Sequence, residues 1–189
     1  MRLVRVAAAV VVGVAVLAGC SDGEKANETL PSTSSTAAET TDSLPPLGPP
    51  DLPMPAQARE QTPAGVAAFT DYYVALINRL QRDLDSTYLR LLSSSCAGCD
   101  RIATDADNDK AAGYSYRGGE LVLTSKGAAV VDDEGGEIAF IVDQAPMEVV
   151  DSSGSPIPDL TFAQKNDLPG GLSTLWQKDH WVVSVLSFG

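Results

Sequence analysis

The chain has 189 residues, of which 25 are Asp or Glu and 13 are Lys or Arg, so its formal net charge at pH 7 is −12. Nucleic acids and anionic lipid surfaces carry the same sign of charge. The composition therefore excludes both as the main partner of the protein.

The first 19 residues have the layout of an export signal. Residues 1–5 carry two arginines, and residues 6–19 contain only Ala, Val, Leu and Gly. A helix that crosses a bilayer needs about 20 apolar residues, and this run is shorter. A charged start followed by a short apolar run is typical of a signal peptide, which we predict for residues 1–19.

The apolar run ends in Leu17-Ala18-Gly19-Cys20, which resembles the bacterial lipobox. The resemblance implies that the Cys20 thiol receives a diacylglyceryl group, that the peptide is cut just before it, and that acyl chains such as palmitate anchor the new N-terminus. Because two or more acyl chains hold a protein stably on a bilayer, we expect an extracytoplasmic protein on the outer face of the cell membrane, with the membrane as its partner through the lipid. The alternative is an unmodified cysteine beside a conventional cleavage site.

The composition of residues 20–61 predicts a disordered tether, acidic and rich in Ser, Thr and Pro. The first aromatic residue of the chain is Phe69. Such a segment buries too little apolar area to offset its ordering entropy, and its proline-rich part, residues 45–55, is expected to be stiff and extended. We predict that residues 62–189 form one domain that stands off the membrane.

Helical patterns come first within this domain. Thr62 supplies a hydroxyl cap and Pro63 suits the first helical position, which predicts a helix over residues 62–82. Apolar residues at helical spacing define its buried face. They are Val66, Phe69, Tyr73, Leu76, Ile77 and Leu80.

Two further helices are predicted before the pattern changes. A short one over residues 85–93 is expected to bury Tyr88, Leu91 and Leu92, and a third follows over residues 99–113.

Strand patterns begin after Gly113. We predict one strand over residues 121–131, kinked at Gly127, and one long strand over residues 138–150, interrupted at Pro146. Residues 151–158 are expected to form a turn and loop, and residues 172–177 and 180–188 a hairpin.

Helices followed by a meander of strands predict an α+β fold, with N-terminal helices packed on one face of a curved antiparallel sheet. The order of elements, the Tyr72-Tyr73 pair, the "CAGC" of residues 96–99 and a terminal strand opening on Trp181 resemble a family of actinobacterial lipoproteins known only as a domain of unknown function. The resemblance covers roughly residues 55–189 and implies the nuclear transport factor 2-like cone, in which a curved sheet wraps a long helix around a pocket. It carries over no function.

Cys96 and Cys99 are predicted to form a disulfide, because close thiols oxidise outside the membrane and Cys20 is expected to carry lipid. The alternative is a redox couple with the thioredoxin spacing. Against it, no βαβ pattern precedes the pair, and the charge of Asp100 raises rather than lowers a thiol pKa. Asp100 also stands where haem attachment needs histidine, and the single histidine of the chain cannot complete a Cys/His zinc site.

His180 follows Asp179, a pair that can act in acid–base catalysis. Its position between two apolar strands instead predicts a solvent-exposed residue beside a tight turn. The acids of residues 105–109 lack the glycine and distant glutamate of a calcium loop and are expected to form a solvated face. We predict no catalytic residue, no metal ligand and no cofactor.

The hairpin has a predicted register. A two-residue turn at Lys178-Asp179 places Trp176 opposite Trp181, so that both indoles lie on one face. Alternation then assigns the following strand residues to faces. Val183 and Val185 join the indole face, and Val182 and Leu186 lie on the other.

Two classes of function remain. The first is a non-catalytic binding or interaction domain for an unknown small molecule or envelope protein. Its candidate ligand or partner surface consists of Tyr72, Tyr73, Trp176 and Trp181. The alternative for Trp176 and Trp181 is a purely structural role as a cross-strand pair. The second is a small pocket enzyme using Asp71, Tyr72 and Tyr73. A carboxylate of the first helix that faces a concave sheet would favour the enzyme.

Overall fold

The computed structural model of the protein describes residues 46–189. The predicted signal peptide, Cys20 and the first part of the predicted tether lie outside the described residues. Within residues 46–189, none of the helices has the length and apolar character needed to cross a bilayer.

The first described segment, residues 46–61, packs on the domain, and we call it the N-terminal strap. Met54 and Ala58 are only 8% and 0% exposed, and the Tyr72 hydroxyl donates to the Leu52 carbonyl at 3.2 Å. The predicted tether is therefore wrong for residues 46–61, and the folded region begins before Thr62. The few apolar side chains of the strap are spaced so that they reach the core, and its prolines reduce the conformational entropy that the chain loses on ordering.

A short 3-10 helix, Ala56–Arg59, ends the strap, and α1 spans Pro63–Asp83. Thr62 caps α1 as predicted, since its hydroxyl oxygen accepts from the Gly65 amide at 3.0 Å. All six residues of the predicted apolar face are buried. Tyr72 is buried as well, because the strap covers a second side of the helix, and Val74 is buried on another side of it.

Two shorter helices follow, α2 at Thr87–Leu91 and α3 at Ala97–Ala111. The prediction that Leu91 is buried is wrong, because α2 turns Leu89 inward (2% exposed) and leaves Leu91 58% exposed. Helix α3 begins earlier than predicted, because the Cys96 sulfur caps it by accepting from the Cys99 amide at 3.1 Å.

Eight strands complete the domain. They are β1 Ser115–Gly118, β2 Leu121–Lys126, β3 Val130–Val131, β4 Gly135–Gln144, β5 Met147–Val150, β6 Pro156–Phe162, β7 Lys165–Gln177 and β8 His180–Phe188.

Five of these strands form an antiparallel sheet in the order β2-β4-β7-β8, with β3 also paired to β4. Helix α1 packs against β2 and β4, and α3 packs against β8. Register shifts interrupt the pairing of β2, β4 and β8, and such bulges bend a sheet. The α+β prediction, with helices on one face of a curved antiparallel sheet, is confirmed.

The strands β1, β5 and β6 form a separate antiparallel sheet. The prediction of extended chain interrupted at Pro146 is confirmed, since β4 ends at Gln144 and β5 begins at Met147. The two segments belong to different sheets, so they do not form one continuous strand. Strand β6 begins within the loop that we predicted over residues 151–158 and continues into residues for which we predicted no element. Most of its side chains are exposed on both faces, so it lacks the alternation that signals a strand.

The hairpin of β7 and β8 has the predicted turn and register, with Trp176 opposite Trp181 and Gln177 opposite His180. The predicted alternation of side chains between the two faces of β8 fails farther along the strand. Thr174 pairs with Val183 but its neighbour Ser173 pairs with Val185, so one residue of β8 has no partner. The intervening Ser184 is a β-bulge, which reverses the faces beyond it. Val185 is consequently exposed (53%) and Leu186 buried (6%), opposite to the predicted assignment in which Val185 shared the indole face.

Candidate functional site

A cleft of about 350 Å³ opens at the end of the larger sheet where β2 and β7 begin and where β4 and β8 end. Helices α1 and α3 form its other side, and we call it the α1–α3 cleft. Its lining residues are Ile77, Gln81, Arg101, Ile102, Leu121, Gln144, Lys165, Leu168, Phe188 and Gly189. The volume is at the small end of the range of about 300–1,000 Å³ that is usual for ligand sites.

A row across three strands forms the floor of the cleft. Gln144 pairs with Leu121 on one side and with Lys165 on the other, so these side chains share one face of the sheet. Asn78 fixes α1 above this row, since its side-chain amide donates to the Leu121 carbonyl and accepts from the Leu121 amide, both at 2.8 Å. The floor and the α1 wall are therefore held in a fixed relation.

Apolar side chains form the inner part of the cleft. Ile77 and Leu121 are buried at 2% and 8% exposure. The Phe188 ring packs edge-on against Phe140 with centroids 5.9 Å apart, which sets its orientation. The cleft thus offers apolar contact that is already arranged before any ligand enters.

Two cations, Arg101 and Lys165, line the same cleft, and neither has an ion pair among residues 46–189. Among the other cations of residues 46–189, four form ion pairs with carboxylates, and Arg82, Lys110, Arg117 and Lys178 form none. These pairs are Arg59 with Asp179, Arg79 with Asp51, Asp83 and Asp85, Arg90 with Asp100 and Asp107, and Lys126 with Asp71. Arg101 and Lys165 are both exposed, so the cleft combines buried apolar residues at its base with two cations that lie in solvent.

Gln81 adds a polar group that lacks a partner. Its side-chain oxygen Oε1 is buried and accepts no hydrogen bond within the described part of the chain. A buried acceptor without a donor costs free energy, on the order of 1–3 kcal/mol. Because this atom has almost no accessible surface, a molecule in the cleft does not reach it in this conformation.

No carboxylate of α1 lines the cleft in the described structure. Asp71 is exposed and pairs with Lys126 at 2.5 Å, and Asp83 pairs with Arg79 at 2.9 Å. Asp71 instead lines a separate, open pocket beside β2, where Lys126 engages it, so the α1–α3 cleft offers a pocket enzyme built on Asp71, Tyr72 and Tyr73 no carboxylate.

The candidate aromatic surface is largely inside the protein. Tyr72, Tyr73 and Trp181 are 3%, 0% and 0% exposed, and Trp176 is partly buried. Burial raises the pKa of Tyr72 to about 12 and also raises that of Tyr73. The expectation of a ligand or partner surface is therefore corrected for Tyr72, Tyr73 and Trp181, which pack in the core.

The indole rings of Trp176 and Trp181 pack in a T-shaped geometry with centroids 4.8 Å apart. This contact agrees with the alternative prediction that the two residues have a structural role. The Trp181 indole N–H donates to the Glu60 carbonyl of the strap at 3.0 Å. The hairpin tip and the strap are thereby joined.

His180 is less exposed than predicted, since only 16% of its side chain is accessible. Its Nδ1 lies 3.1 Å from an Asp179 carboxylate oxygen, and Asp179 also pairs with Arg59 of the strap. The hydrogen bond with His180 lowers the pKa of Asp179, and Arg59 adds to the lowering. This cluster lies outside the α1–α3 cleft and ties the turn to the strap.

The predicted disulfide is confirmed, with the sulfurs of Cys96 and Cys99 bonded at 2.03 Å. Closing so short a loop stabilises the fold by about 2 kcal/mol in the chain-entropy estimate. Both cysteines are 1% exposed, whereas thiol exchange requires access to a sulfur. The position thus favours a structural role over the redox alternative.

The sequence analysis did not identify Gln81, Arg101, Gln144 or Lys165. They come from four separate elements that only the folded topology brings together. Each looks like an ordinary polar residue in its own segment. Among the lining residues, Ile77 was predicted to be buried, as part of the apolar face of α1.

Comparison with solved structures finds similar folds at low identity. The intermembrane space region of the chloroplast protein ARC6 is 12% identical with a TM-score of 0.50, and the alignment covers 68% of this chain and 97% of that chain. A second solved structure, named Rd1NTF2_05, is 8% identical with a TM-score of 0.39, and the alignment covers 66% of this chain and 99% of that chain. At this identity the likeness to ARC6 concerns the fold alone.

Comparison of sequences gives the family. No curated protein matches the chain. Residues 39–187 match the model of a family described as "Family of unknown function (DUF6318)". The match includes the N-terminal strap and all the helices and strands apart from the last residue of β8. The chain therefore belongs to the DUF6318 family of unknown function.

Proposed function

We propose that this protein is a lipoprotein on the outer face of the cell membrane whose domain binds a ligand in the α1–α3 cleft without catalysing a reaction on it. The observation that carries the proposal is the composition of the cleft. Apolar side chains, two glutamines and two exposed cations line it, and the lining contains no carboxylate, imidazole, hydroxyl or thiol side chain among the described residues. Such a lining suits binding better than general acid–base or nucleophilic chemistry.

The proposed anchor depends on the sequence before the described region. The arginines of residues 1–5, the apolar run of residues 6–19 and the lipobox-like end at Cys20 support export and lipidation. Because the strap packs on the domain, the proposed tether shortens to residues 20–45. An envelope protein as partner remains the alternative to a small molecule, and the experiments below distinguish anchoring from binding.

Replacing Cys20 with alanine is expected to release the protein from the membrane fraction while the domain stays folded, because the lipid supplies the attachment and no core residue of the described domain depends on it. Detergent phase partitioning measures the distribution, and thermal unfolding checks the fold. A Cys20→Ala protein that still partitions with the detergent phase would contradict the anchor.

Native mass spectrometry tests the binding proposal on the full-chain Cys20→Ala protein exported by bacterial cells. We expect a non-covalent small-molecule adduct on this protein. The adduct should be lost when Leu168→Trp is added, because the larger side chain fills the cleft. Adding Val130→Trp on the exposed outer face of the same sheet (67% exposed) is the matched control and should leave the adduct in place. Absence of any adduct that Leu168→Trp removes would overturn the binding proposal.

A further inference from the structure

The outer face of the larger sheet, opposite the helices, carries exposed apolar side chains. Six large hydrophobic side chains are exposed among residues 46–189, and four of them lie on this face. They are Val122, Val130, Leu175 and Val185, with exposures of 58%, 67%, 38% and 53%. Single exposed apolar residues are common, whereas their concentration on one face marks an interaction surface. We propose that this face binds a second copy of the chain and forms a dimer with twofold symmetry.

Strand pairing shows which residues of the face are neighbours. Alternate residues of β4 are buried under the helices, so the residues between them point outward. Among these, Glu137 pairs with Val130 of β3 and with Ser173 of β7. Ser173 pairs in turn with Val185 of β8. These four residues form a row across the sheet with a valine at each end, and we call it the valine row.

A row of small residues lies beside the valine row. Ala139, two residues after Glu137, pairs with Gly171, and Gly171 pairs with Ser187. We call these three residues the small-residue row. They line a groove of about 380 Å³ whose lining also includes both valines of the valine row, and all the lining residues lie in the sheet or in the link before β3. The face thus carries a ridge with a groove beside it.

A ridge beside a groove makes the face complementary to itself. A twofold axis in the plane of contact, midway between the two rows and parallel to them, places the valine row of each copy over the small-residue row of the other. The strands of the two sheets are then nearly aligned, as in sheets that pack face to face about 10 Å apart.

The size of the face sets the strength of the contact. Four strands at a spacing of about 4.8 Å, with the 10 residues of β4 at about 3.3 Å each, give a flat area of about 600 Å² per copy. The dimer therefore buries about 1,200 Å² in total, which is the lower end of the range for specific interfaces. We expect a reversible, concentration-dependent dimer.

The charge of the face also favours a second copy over other partners. Glu137 is the only ionisable residue in the two rows, and the Ser173 hydroxyl donates to its carboxylate at 3.3 Å. Without cations the two rows do not attract an anionic lipid surface, and one acid per face gives a basic protein little reason to prefer it. Apolar contact with a face of the same shape remains.

The two edges of the larger sheet are occupied, which directs association to its face. On β2, the Asn78 side chain bonds both backbone groups of Leu121. On β8, the backbone groups of Val183 are bonded to Leu92 and Ser94. Occupied backbone groups do not pair with a strand of another chain. A second copy therefore meets the sheet through its outer side chains.

Sedimentation velocity of the full-chain Cys20→Ala protein, over two orders of magnitude in protein concentration, tests the proposal. We expect an equilibrium between monomer and dimer that shifts toward dimer as salt is added, because salt screens the repulsion between two copies with a net charge of −12 each. A monomer at every concentration would overturn the dimer. Association that salt weakens would indicate intermolecular ion pairs and would overturn the apolar contact.

Charged substitutions locate the interface. Val185→Asp should weaken dimerisation at least about a hundredfold, because twofold symmetry buries the introduced charge twice. Leu91→Asp is the matched control, since Leu91 is as exposed (58%) but lies on α2, which packs against α1 and α3. It should dimerise like the parent protein. Equal losses in the two variants would overturn the assignment to the outer face.

Two further variants test the fit of ridge into groove. Ala139→Trp fills the groove, so it should weaken dimerisation at least about tenfold although it adds apolar area. Glu137→Gln removes like charges that the symmetry brings together and should strengthen dimerisation about tenfold. An Ala139→Trp protein that dimerises more tightly than the parent would show non-specific adhesion and refute the fit. Thermal unfolding of each variant shows whether the fold is retained. The ligand-binding proposal is tested separately, since the α1–α3 cleft lies on the helix side of the sheet.

Discussion

Replacing Trp181 with alanine is expected to lower the free energy of unfolding by about 3–5 kcal/mol, the usual cost of removing a buried indole. Trp181 is 0% exposed, and its N–H satisfies the Glu60 carbonyl at 3.0 Å. The substitution therefore leaves a cavity and removes one of the two hydrogen bonds that the Glu60 carbonyl accepts, the other coming from the Thr62 amide at 2.8 Å. Urea denaturation followed by far-ultraviolet circular dichroism measures the change without relying on the indole that is removed.

Trp176→Ala is the matched control for this prediction. Trp176 is the other member of the T-shaped pair, but it is only partly buried. Its removal loses the aromatic contact, about 0.5–1.5 kcal/mol, and part of its apolar burial. A Trp176→Ala protein that is as unstable as Trp181→Ala would show that the strap contact made by Trp181 contributes nothing beyond the ring pair.

Replacing Gly65 with alanine is expected to destabilise the protein by about 1–3 kcal/mol, as overpacking does. Helix propensity alone predicts the opposite sign, since alanine is favoured over glycine in a helix by about 1 kcal/mol. A Cβ at Gly65 would lie 1.9 Å from the Glu60 carbonyl oxygen and 2.9 Å from its carbon. Both are backbone atoms, so the strap itself must move. Because the same oxygen accepts from Trp181, the movement also weakens that hydrogen bond.

Ala64→Gly provides the control for this second prediction, because Ala64 is exposed in the same turn of α1. It should cost no more than about 1 kcal/mol, the propensity difference alone. Urea denaturation of both variants gives the comparison. A Gly65→Ala protein that is more stable than the parent would show that the strap does not press on α1 in solution.

The sequence predicted best those features whose cause is local. The six apolar positions of α1 lie on one face at helical spacing, and all are buried. Thr62 and Pro63 marked the start of that helix, and the two-residue turn at Lys178-Asp179 fixed the register of the Trp pair. In each case neighbouring residues determine the structure, so reading them in order is sufficient.

The features that the sequence did not predict depend on distant contacts. The strap has the composition of a tether, yet Met54 and Ala58 reach a second side of α1. Ser184 has no local mark of a bulge, and only its pairing with β7 reveals the change of face beyond Val183. The cleft is still more difficult to predict from the sequence, because its polar side chains come from α1, α3, β4 and β7. Within each of these segments, nothing distinguishes them from other polar residues.

The outer edge of β8 is covered by the segment that leads to the disulfide. Val183 donates to the Leu92 carbonyl at 2.9 Å and accepts from the Ser94 amide at 2.8 Å, in a parallel bridge between Ser93 and Val183. An uncovered edge strand offers its backbone groups as a template on which another chain can add a strand and aggregate. Here those groups are occupied at the centre of β8, and the bulge at Ser184 distorts the strand immediately beyond them. The Cys96–Cys99 bond begins only two residues after Ser94 and restrains the covering segment, so we expect reduction of this bond to expose the edge of β8 as well as to destabilise the fold.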